Sequence, residues 1–280
     1  MKSEMGYKFK GAGHEEPEGK RKYEKPQDGP LHKAVVEYLN AAKKAKSPRD
    51  FKTMTPIAEE KIGDIPVSIE EAHALVLQYQ EHPAIEFIGY FLSIVYNRAP
   101  DKIISYDFEM DNMAGVGHGL SEGKTLLNHG SCKYLGDDAK GLVINYNKFG
   151  TSGQKALGAF INCGKEINYP YVGAYSGCLI DFNEKSRNVG YGHQGILIVA
   201  KRSCLAKDDT FHSLRDAKPI VLEHCKITEL NEYIKDLRKI VEIGRTNPAG
   251  LEAELKKFGA TPGIRIKEDI ESIIWRYHAR

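Results

Sequence analysis

Four polar residues recur in the middle of the chain, each directly after a short apolar run: Asn128, Asn145, Asn162 and Asp181. Amide and carboxylate side chains in a row could line a groove that binds a sugar or a nucleotide through hydrogen bonds. Asn also commonly bonds to turn backbone, and stacked amides can bond to one another. The pattern therefore favours a structural turn ladder at these positions, and a ligand groove is the alternative.

A second group has the residue types that acid–base catalysis uses: Tyr106, Asp107, Asp111, Asn112 and His118. Imidazole and carboxylate groups act as general acids and bases when they lie within hydrogen-bond reach of a substrate. This group predicts an enzyme with a small-molecule site where strands meet helices, as an alternative to a binding protein. No catalytic or cofactor-binding residue can be named from it.

Several histidines and cysteines in this part of the chain could converge on zinc, because imidazole and thiolate are common zinc ligands: His118, His129, Cys132, Cys163 and Cys178. No pair among them has a metal-ligand spacing. His129 and Cys163 also share a repeat position with Tyr146 and Phe182, which indicates core packing. We therefore expect neither a metal nor a cofactor.

Three further features are weaker indications of chemistry. His193 follows a glycine at an expected corner, where we predict an exposed side chain, and no nucleophile can be paired with it. Gly115-Val116-Gly117-His118-Gly119 lacks the Lys-Ser/Thr of a phosphate loop. The basic run Lys43–Lys46, with Arg49 and Lys52 nearby, has no interleaved aromatic residues for base stacking, so a solvated helix face is expected and RNA association is a second alternative.

An internal repeat would position these residues. Glycines close successive segments of 17 to 19 residues, at Gly123, Gly141, Gly158, Gly177 and Gly195. Two positions after the polar residue stands a residue type that tolerates positive φ, at Gly130, Asn147, Gly164 and Asn183. A second corner is indicated by Gly136, Gly153, Gly173 and Gly190. The period predicts an α+β protein with a central parallel β-solenoid of about five coils, flanked and capped by α-helices.

Strand alternation assigns the apolar residues of the repeat to two faces. We place the first column inside the solenoid: Leu127, Ile144, Ile161, Ile180 and Ile198. The intervening column is then the outer face and the candidate interaction face: Leu126, Val143, Phe160, Leu179 and Leu197. Stacked apolar residues facing water need cover, either from the chain's own helices or from a partner subunit. The opposite assignment of the two faces is also compatible with the periodicity.

The chain divides into four regions: a charged N-terminal tail expected to be disordered (1–30), a helical N-terminal region with the solenoid cap (31–100), the glycine-rich solenoid (101–203) and a C-terminal helical region (204–280). Ser68 and Glu71 form a capping box that starts a helix. The segment Ala84–Tyr96 is apolar nearly all round and is expected to cap the first coil, with Ile227–Ile243 as the cap at the other end. The last helix should bury Ile270, Ile273 and Ile274, and Trp275 is a further candidate.

The repeat region resembles the glycine-rich GXGXG β-helix of the glutamate synthase large subunit and of the C subunit of formylmethanofuran dehydrogenase, in coil length and in Gly115, Gly117 and Gly119. In that family the domain organises neighbouring catalytic parts, so the resemblance implies a structural or subunit-docking role. Residues 135–140 and 172–177 each resemble one hexapeptide of the hexapeptide-repeat acyltransferases. That family has three consecutive hexapeptides per coil, which this chain lacks, so no family site residue is transferred.

Composition narrows the classes of function and of partner that remain possible. The net charge of +2 predicts no global attraction to nucleic acid or to an acidic surface. The five cysteines include no C-x-x-C pair, and the first residues lack an apolar signal segment, which indicates a cytoplasmic protein with free thiols. No apolar run is long enough to span a membrane. We therefore expect a non-enzymatic scaffold or interaction subunit, as a homo-oligomer or with a partner protein on the solenoid face.

Overall fold

The computed structural model describes residues 29–45, 51–147, 149–152, 155–164, 171–172, 177–186, 189, 193–205 and 219–279. Within these ranges the chain forms a parallel β-solenoid of about five coils together with α-helices, which confirms the predicted α+β fold. The expected disordered tail lies outside the described residues except for its last two.

The first sheet of the solenoid contains seven parallel strands. In stacking order they are β1 (Ile103–Tyr106), β2 (Thr125–Asn128), β4 (Leu142–Asn145), β6 (Ala159–Asn162), β8 (Cys178–Asp181), β9 (Ile196–Val199) and β10 (Ile220–Val221). The second sheet contains β3 (Cys132–Leu135), β5 (Phe149–Ser152) and β7 (Tyr171–Val172). Among the described residues, the three repeats that begin with β2, β4 and β6 supply one strand to each sheet, and equivalent repeat positions are direct neighbours in the first sheet.

The corner glycines are required mainly because neighbouring coils approach closely. A Cβ atom at Gly158 would lie 2.1 Å from the Gly141 carbonyl oxygen, and one at Gly130 would lie 2.1 Å from the Phe108 carbonyl oxygen. Gly136 has positive φ, as expected of the second corner, whereas its equivalents Gly153, Gly173 and Gly190 lie outside the described residues. The expectation of positive φ at the first corner is wrong, because Gly130, Asn147, Gly164 and Asn183 are not among the described residues with positive φ.

The assignment of the two apolar columns to the faces of the solenoid is reversed in the structure. The Leu126 column packs inside, against residues of the second sheet side such as Leu135 and Phe149. The Leu127 column lies on the outer side of the first sheet, in a separate apolar cluster with the C-terminal helices. Both columns alternate along the same strands, so the positions of the helices and of the second sheet decide which of them faces inward.

Four helices lie at the N-terminal end: α1 (Pro30–Ala42), α2 (Phe51–Ile62), α3 (Ile69–Gln78) and α4 (Ile88–Arg98). Ser68 is the N-cap of α3, and its hydroxyl accepts a hydrogen bond from the Glu71 amide. Helix α4 lies against the first coil: the Ser93 hydroxyl donates to the Gly115 carbonyl, and the Asn97 side chain donates to the Gly119 carbonyl. The N-terminal helices and the solenoid interior form one continuous apolar cluster, so α4 acts as the expected cap.

Three helices follow the solenoid: α5 (Thr228–Thr246), α6 (Pro248–Leu255) and α7 (Pro262–His278). Helix α5 was expected to cap the last coil, but it runs along the side of the solenoid. Its Arg238 side chain lies over Phe182, and its Val241 carbonyl contacts Tyr146 two coils earlier. The apolar face of α5 and α7 covers the Leu127 column, which would otherwise face water.

Candidate functional site

The four predicted ladder residues form a chain of side-chain hydrogen bonds. The Asn128 amide donates to Asn145 Oδ1 at 2.6 Å, the Asn145 amide donates to Asn162 Oδ1 at 2.8 Å, and the Asn162 amide donates to Asp181 Oδ1 at 2.7 Å. Strand pairing aligns these residues in register, which brings side chains 17 to 19 residues apart into contact. The ladder thus joins four successive coils.

All bonds of the ladder run in the same direction, and this explains the change from Asn to Asp at its end. The residue beside Asp181 in the next coil is Val199, which offers no side-chain acceptor. An amide at this position would find no side-chain acceptor at the strand neighbour for its N–H group, whereas a carboxylate only accepts. Asp181 accepts from Asn162 and from the Asn183 backbone N–H at 2.9 Å. Burial raises the pKa of Asp181, and hydrogen bonds from Ser186, from the Asn183 backbone and from Asn162 oppose the rise.

The ladder is buried inside the solenoid, and this decides between the two uses considered for it. None of its four members is more than 1% exposed. Asn145 also donates to the Asn147 carbonyl, and Asn162 Oδ1 also accepts from the Gly164 amide. The side chains bond to turn backbone and to one another, so they do not line an open groove.

The column designated as an interaction face is also buried. Its members have exposed fractions of 2% or less: Leu126, Val143, Phe160, Leu179 and Leu197. They fill the interior between the two sheets, where a partner protein has no access to them.

The polar and aromatic group near the first coil does not share one environment. The Tyr106 hydroxyl is buried and donates to the Ser131 carbonyl at 3.1 Å, and burial raises the Tyr106 pKa. Asp111 and Asn112 are exposed, and Asp107 is half-buried. His118 is buried between α4 and the second coil, with its ring edge-on to Tyr90.

His118 has a carboxylate neighbour that sequence reasoning missed. Its Nδ1 lies 3.9 Å from Asp138 Oδ2, and the parallel bridge between Val116 and Leu135 places the two residues side by side in neighbouring coils. Burial lowers the pKa of His118, and the Asp138 charge opposes this. The backbone around His118 is also occupied: its amide donates to the Gly115 carbonyl and to Ser93 Oγ, and the Gly119 amide donates to the Asp137 carbonyl. These two N–H groups of the glycine-rich segment therefore bond within the turn, to helix α4 and to the next coil.

The remaining candidates are the predicted zinc ligands, His193 and the basic run that begins at Lys43. Within the described residues no group of three or more His, Cys, Asp or Glu side chains could hold a metal ion. Cys132 and Cys178 are fully buried, and burial raises their pKa values. The prediction that His193 is exposed is wrong: it is buried, and burial lowers its pKa to about 4. Of the basic run, Lys43 to Ala45 end the first helical region, whereas Lys46 and Arg49 lie outside the described residues.

An outer column of rings attaches helix α5 to the solenoid. His129 stacks on Tyr146 with 4.7 Å between ring centroids, and the guanidinium of Arg245 lies over the Tyr146 ring. The Tyr146 hydroxyl donates to the Val241 carbonyl at 2.7 Å, and it approaches Gly244 so closely that a Cβ there would lie 2.5 Å away. The column expected to be core is thus half-buried at the boundary between strands and helix.

The surface differs from expectation at the end of helix α7. Trp275, a candidate core residue, is 71% exposed, and Tyr277 is 47% exposed. Helical geometry could have found this, because Ile266, Ile270 and Ile273 follow one face and Trp275 lies about 200° around the helix from Ile273. Among the described residues, Leu157 is the other large apolar side chain that is exposed, at 44%.

Comparison with protein-family models, with curated proteins and with solved structures gave no match for this chain. In the described part of the chain, no helix has both the length and the apolar character needed to cross a membrane.

Proposed function

We propose that the protein is a non-enzymatic scaffold whose contact surface is the carboxyl end of helix α7. The observation that carries the proposal is the exposure of Trp275 and Tyr277 in a chain whose other described aromatic side chains are buried or half-buried. Trp and Tyr are enriched at the energetic centres of protein interfaces because they bury a large area at low conformational-entropy cost.

The location of the pair supports this use. Helix α7 contacts β4 and β6, and its more C-terminal residues Lys267 and Glu271 lie near Cys178 of β8. Helix α7 therefore runs across the coils in their stacking order, from β4 towards β8. Trp275 follows Glu271 by about one helical turn, past the part of the helix that contacts these strands. An exposed ion pair joins Arg276 in this turn to Glu229 of α5. The aromatic pair is thus carried by a helix fixed to a rigid solenoid, which lowers the entropic cost of binding.

The test compares the wild-type protein with Trp275→Ala and with the matched control Leu157→Ala, which truncates an exposed apolar residue elsewhere on the solenoid. Native mass from light scattering measures self-association, starting from a 31.3 kDa chain. A photo-crosslinking residue at position 275 or at position 157 then measures contact with other proteins in cells. The proposal expects oligomer formation or a defined crosslinked product that depends on position 275. A monomer that gives the same crosslinking from both positions would refute it.

A further inference from the structure

Trp275 lies at the centre of an exposed face of helix α7. Five exposed residues lie within about 60° of Trp275 around the helix axis, counting Trp275 itself, and we call them the Trp275 face: Glu268, Glu271, Ser272, Trp275 and His278. The buried residues Ile266, Ile270 and Ile273 follow the opposite side of the helix. The Trp275 face therefore points away from the solenoid, and α7 presents it to a partner.

The polar groups of this face are distributed unequally before and after Trp275. Two carboxylates precede it, at Glu268 and Glu271, and an imidazole follows it, at His278. The ring of Tyr277 contacts His278 edge-on, with 5.5 Å between ring centroids, so it supports the imidazole. The side of the face before Trp275 thus accepts hydrogen bonds, and an imidazole N–H after it donates them in either protonation state.

Both carboxylates already have a basic neighbour on their own helix, but these contacts are weak. Glu268 lies 3.8 Å from Arg265, and Glu271 lies 3.8 Å from Lys267. Both glutamate side chains are more than half exposed. Exposed pairs of this length contribute little stability, so each carboxylate can still accept a bond from a partner.

A second copy of the chain matches this distribution when the two α7 helices run antiparallel. A two-fold axis through Trp275 places each residue before it opposite the residue equally far after it in the other copy. Glu271 stands four residues before Trp275 and His278 stands three after it, so the carboxylate of each copy meets the imidazole of the other. A parallel alignment would instead place Glu271 against Glu271, and juxtaposed like charges oppose binding.

We propose that the Trp275 face binds a second copy of this chain, with the two α7 helices antiparallel, Trp275 packed on its equivalent, and Glu271 opposite His278 of the second copy. The inference rests on the proposed contact surface and names its partner. A contact made by one face of one helix buries less than the roughly 1,200 Å² of a stable complex. We therefore expect a weak dimer, with a dissociation constant of roughly 10–100 µM.

Sedimentation equilibrium of the full chain, from about 5 to about 500 µM, measures this constant. Trp275→Ala should raise the dissociation constant at least about tenfold, because a central aromatic residue dominates a small contact. The matched control Leu157→Ala, which truncates an exposed apolar residue elsewhere, should leave it unchanged. A wild-type protein that stays monomeric over the whole range would overturn the proposal, and so would equal constants for wild type and Trp275→Ala.

Exchanging the two polar groups tests the antiparallel geometry. Glu271→Lys and His278→Glu should each raise the dissociation constant about three- to tenfold, because each places like charges or two non-matching groups opposite one another. The variant that carries both exchanges should return to within about twofold of wild type, since every acid again faces a base. Glu254→Lys on α6 makes the same change of charge elsewhere and should have no effect. Additive weakening in the double variant would overturn the antiparallel contact, and thermal unfolding of each variant establishes that the fold is retained.

The two proposals fail in different ways. If a photo-crosslinking residue at position 275 attaches to other proteins in cells while the purified chain stays monomeric, the second copy is excluded but the contact surface stands. If the chain is monomeric and position 275 gives no specific product, both proposals fail. Dimer formation that Trp275→Ala abolishes and the double exchange restores supports both.

Discussion

Exchanging Asn and Asp at two positions of the ladder should have unequal consequences for stability. Asn145 lies in the middle and both accepts and donates: it bonds to Asn128, Asn162 and the Asn147 carbonyl. In Asn145→Asp the shape is kept, but the donor is lost, and an oxygen then faces two acceptor oxygens previously 2.6 and 2.8 Å from the nitrogen. Asp181 lies at the end and only accepts, so Asp181→Asn keeps the acceptor that binds Asn162.

The magnitudes follow from the number of bonds that each exchange removes. Asn145→Asp removes two donated hydrogen bonds and buries an unpaired charge, and breaking a buried polar pair in this way costs about 3–5 kcal/mol. Asp181→Asn leaves one amide N–H group without an acceptor beside Val199, which costs about 1–3 kcal/mol, but it also removes a buried charge. We therefore expect Asn145→Asp to lower the free energy of unfolding by about 2 kcal/mol more than Asp181→Asn, the difference between the centres of these two ranges.

The dependence on pH distinguishes this explanation from a general loss of packing. The introduced carboxyl group in Asn145→Asp is stabilised in its protonated form, because protonation removes the charge and supplies one donor. Its folded-state pKa is raised above the unfolded value, so the variant should regain stability relative to wild type as the pH falls through that interval. Urea unfolding followed by circular dichroism between pH 4 and pH 8 measures both effects. Equal midpoints for the two exchanges at neutral pH, or a smaller loss for Asn145→Asp, would refute the reasoning.

Three further predictions concern corners, helix attachment and pH. Gly158→Ala should lower the free energy of unfolding by more than about 2 kcal/mol because no space exists for its Cβ, whereas Gly119→Ala, which has open space but positive φ, should cost about 1–2 kcal/mol. Equal thermal midpoints of the two variants would contradict this. Tyr146→Phe should cost about 1–2 kcal/mol by removing the hydrogen bond to the Val241 carbonyl, and hydrogen exchange should rise in α5 before it rises in the solenoid; a uniform rise would argue against local attachment. The pKa of His193 is lowered from 6.5 to about 4, so the unfolded chain takes up a proton first and stability should fall by up to about 3 kcal/mol between pH 6.5 and 4. His193→Phe should flatten that slope in acid titrations, and an unchanged slope would show that other groups cause it.

Local chemistry was enough to predict the repeat, the ladder positions and several helix boundaries. The Ser68 capping box and the spacing of the closing glycines depend on residues close in sequence, and the structure has a helix and coil corners there. The reason for glycine at Gly130 was different from the one expected, because the neighbouring coil's carbonyl lies where a side chain would be. The close approach of two neighbouring coils cannot be predicted from one sequence segment alone.

The placement of partly buried residues was harder to predict. His193 follows a corner glycine, yet it is buried, and Trp275 follows a run of apolar residues, yet it is exposed. Each of these positions depends on what packs beside it, which hydrophobicity at one position does not specify. The pairing of His118 with Asp138 likewise joins residues of different coils.

The sequence by itself determined that this chain forms a parallel β-solenoid of about five coils, because a period of 17 to 19 residues fixes which residues become neighbours in every coil. It also determined the polar ladder, since identical positions in stacked coils meet side by side. Only the tertiary structure decided which apolar column lies inside. Alternating columns such as those of Leu126 and Leu127 are equally apolar, and the face that becomes the interior depends on where the second sheet and the helices α5 and α7 pack.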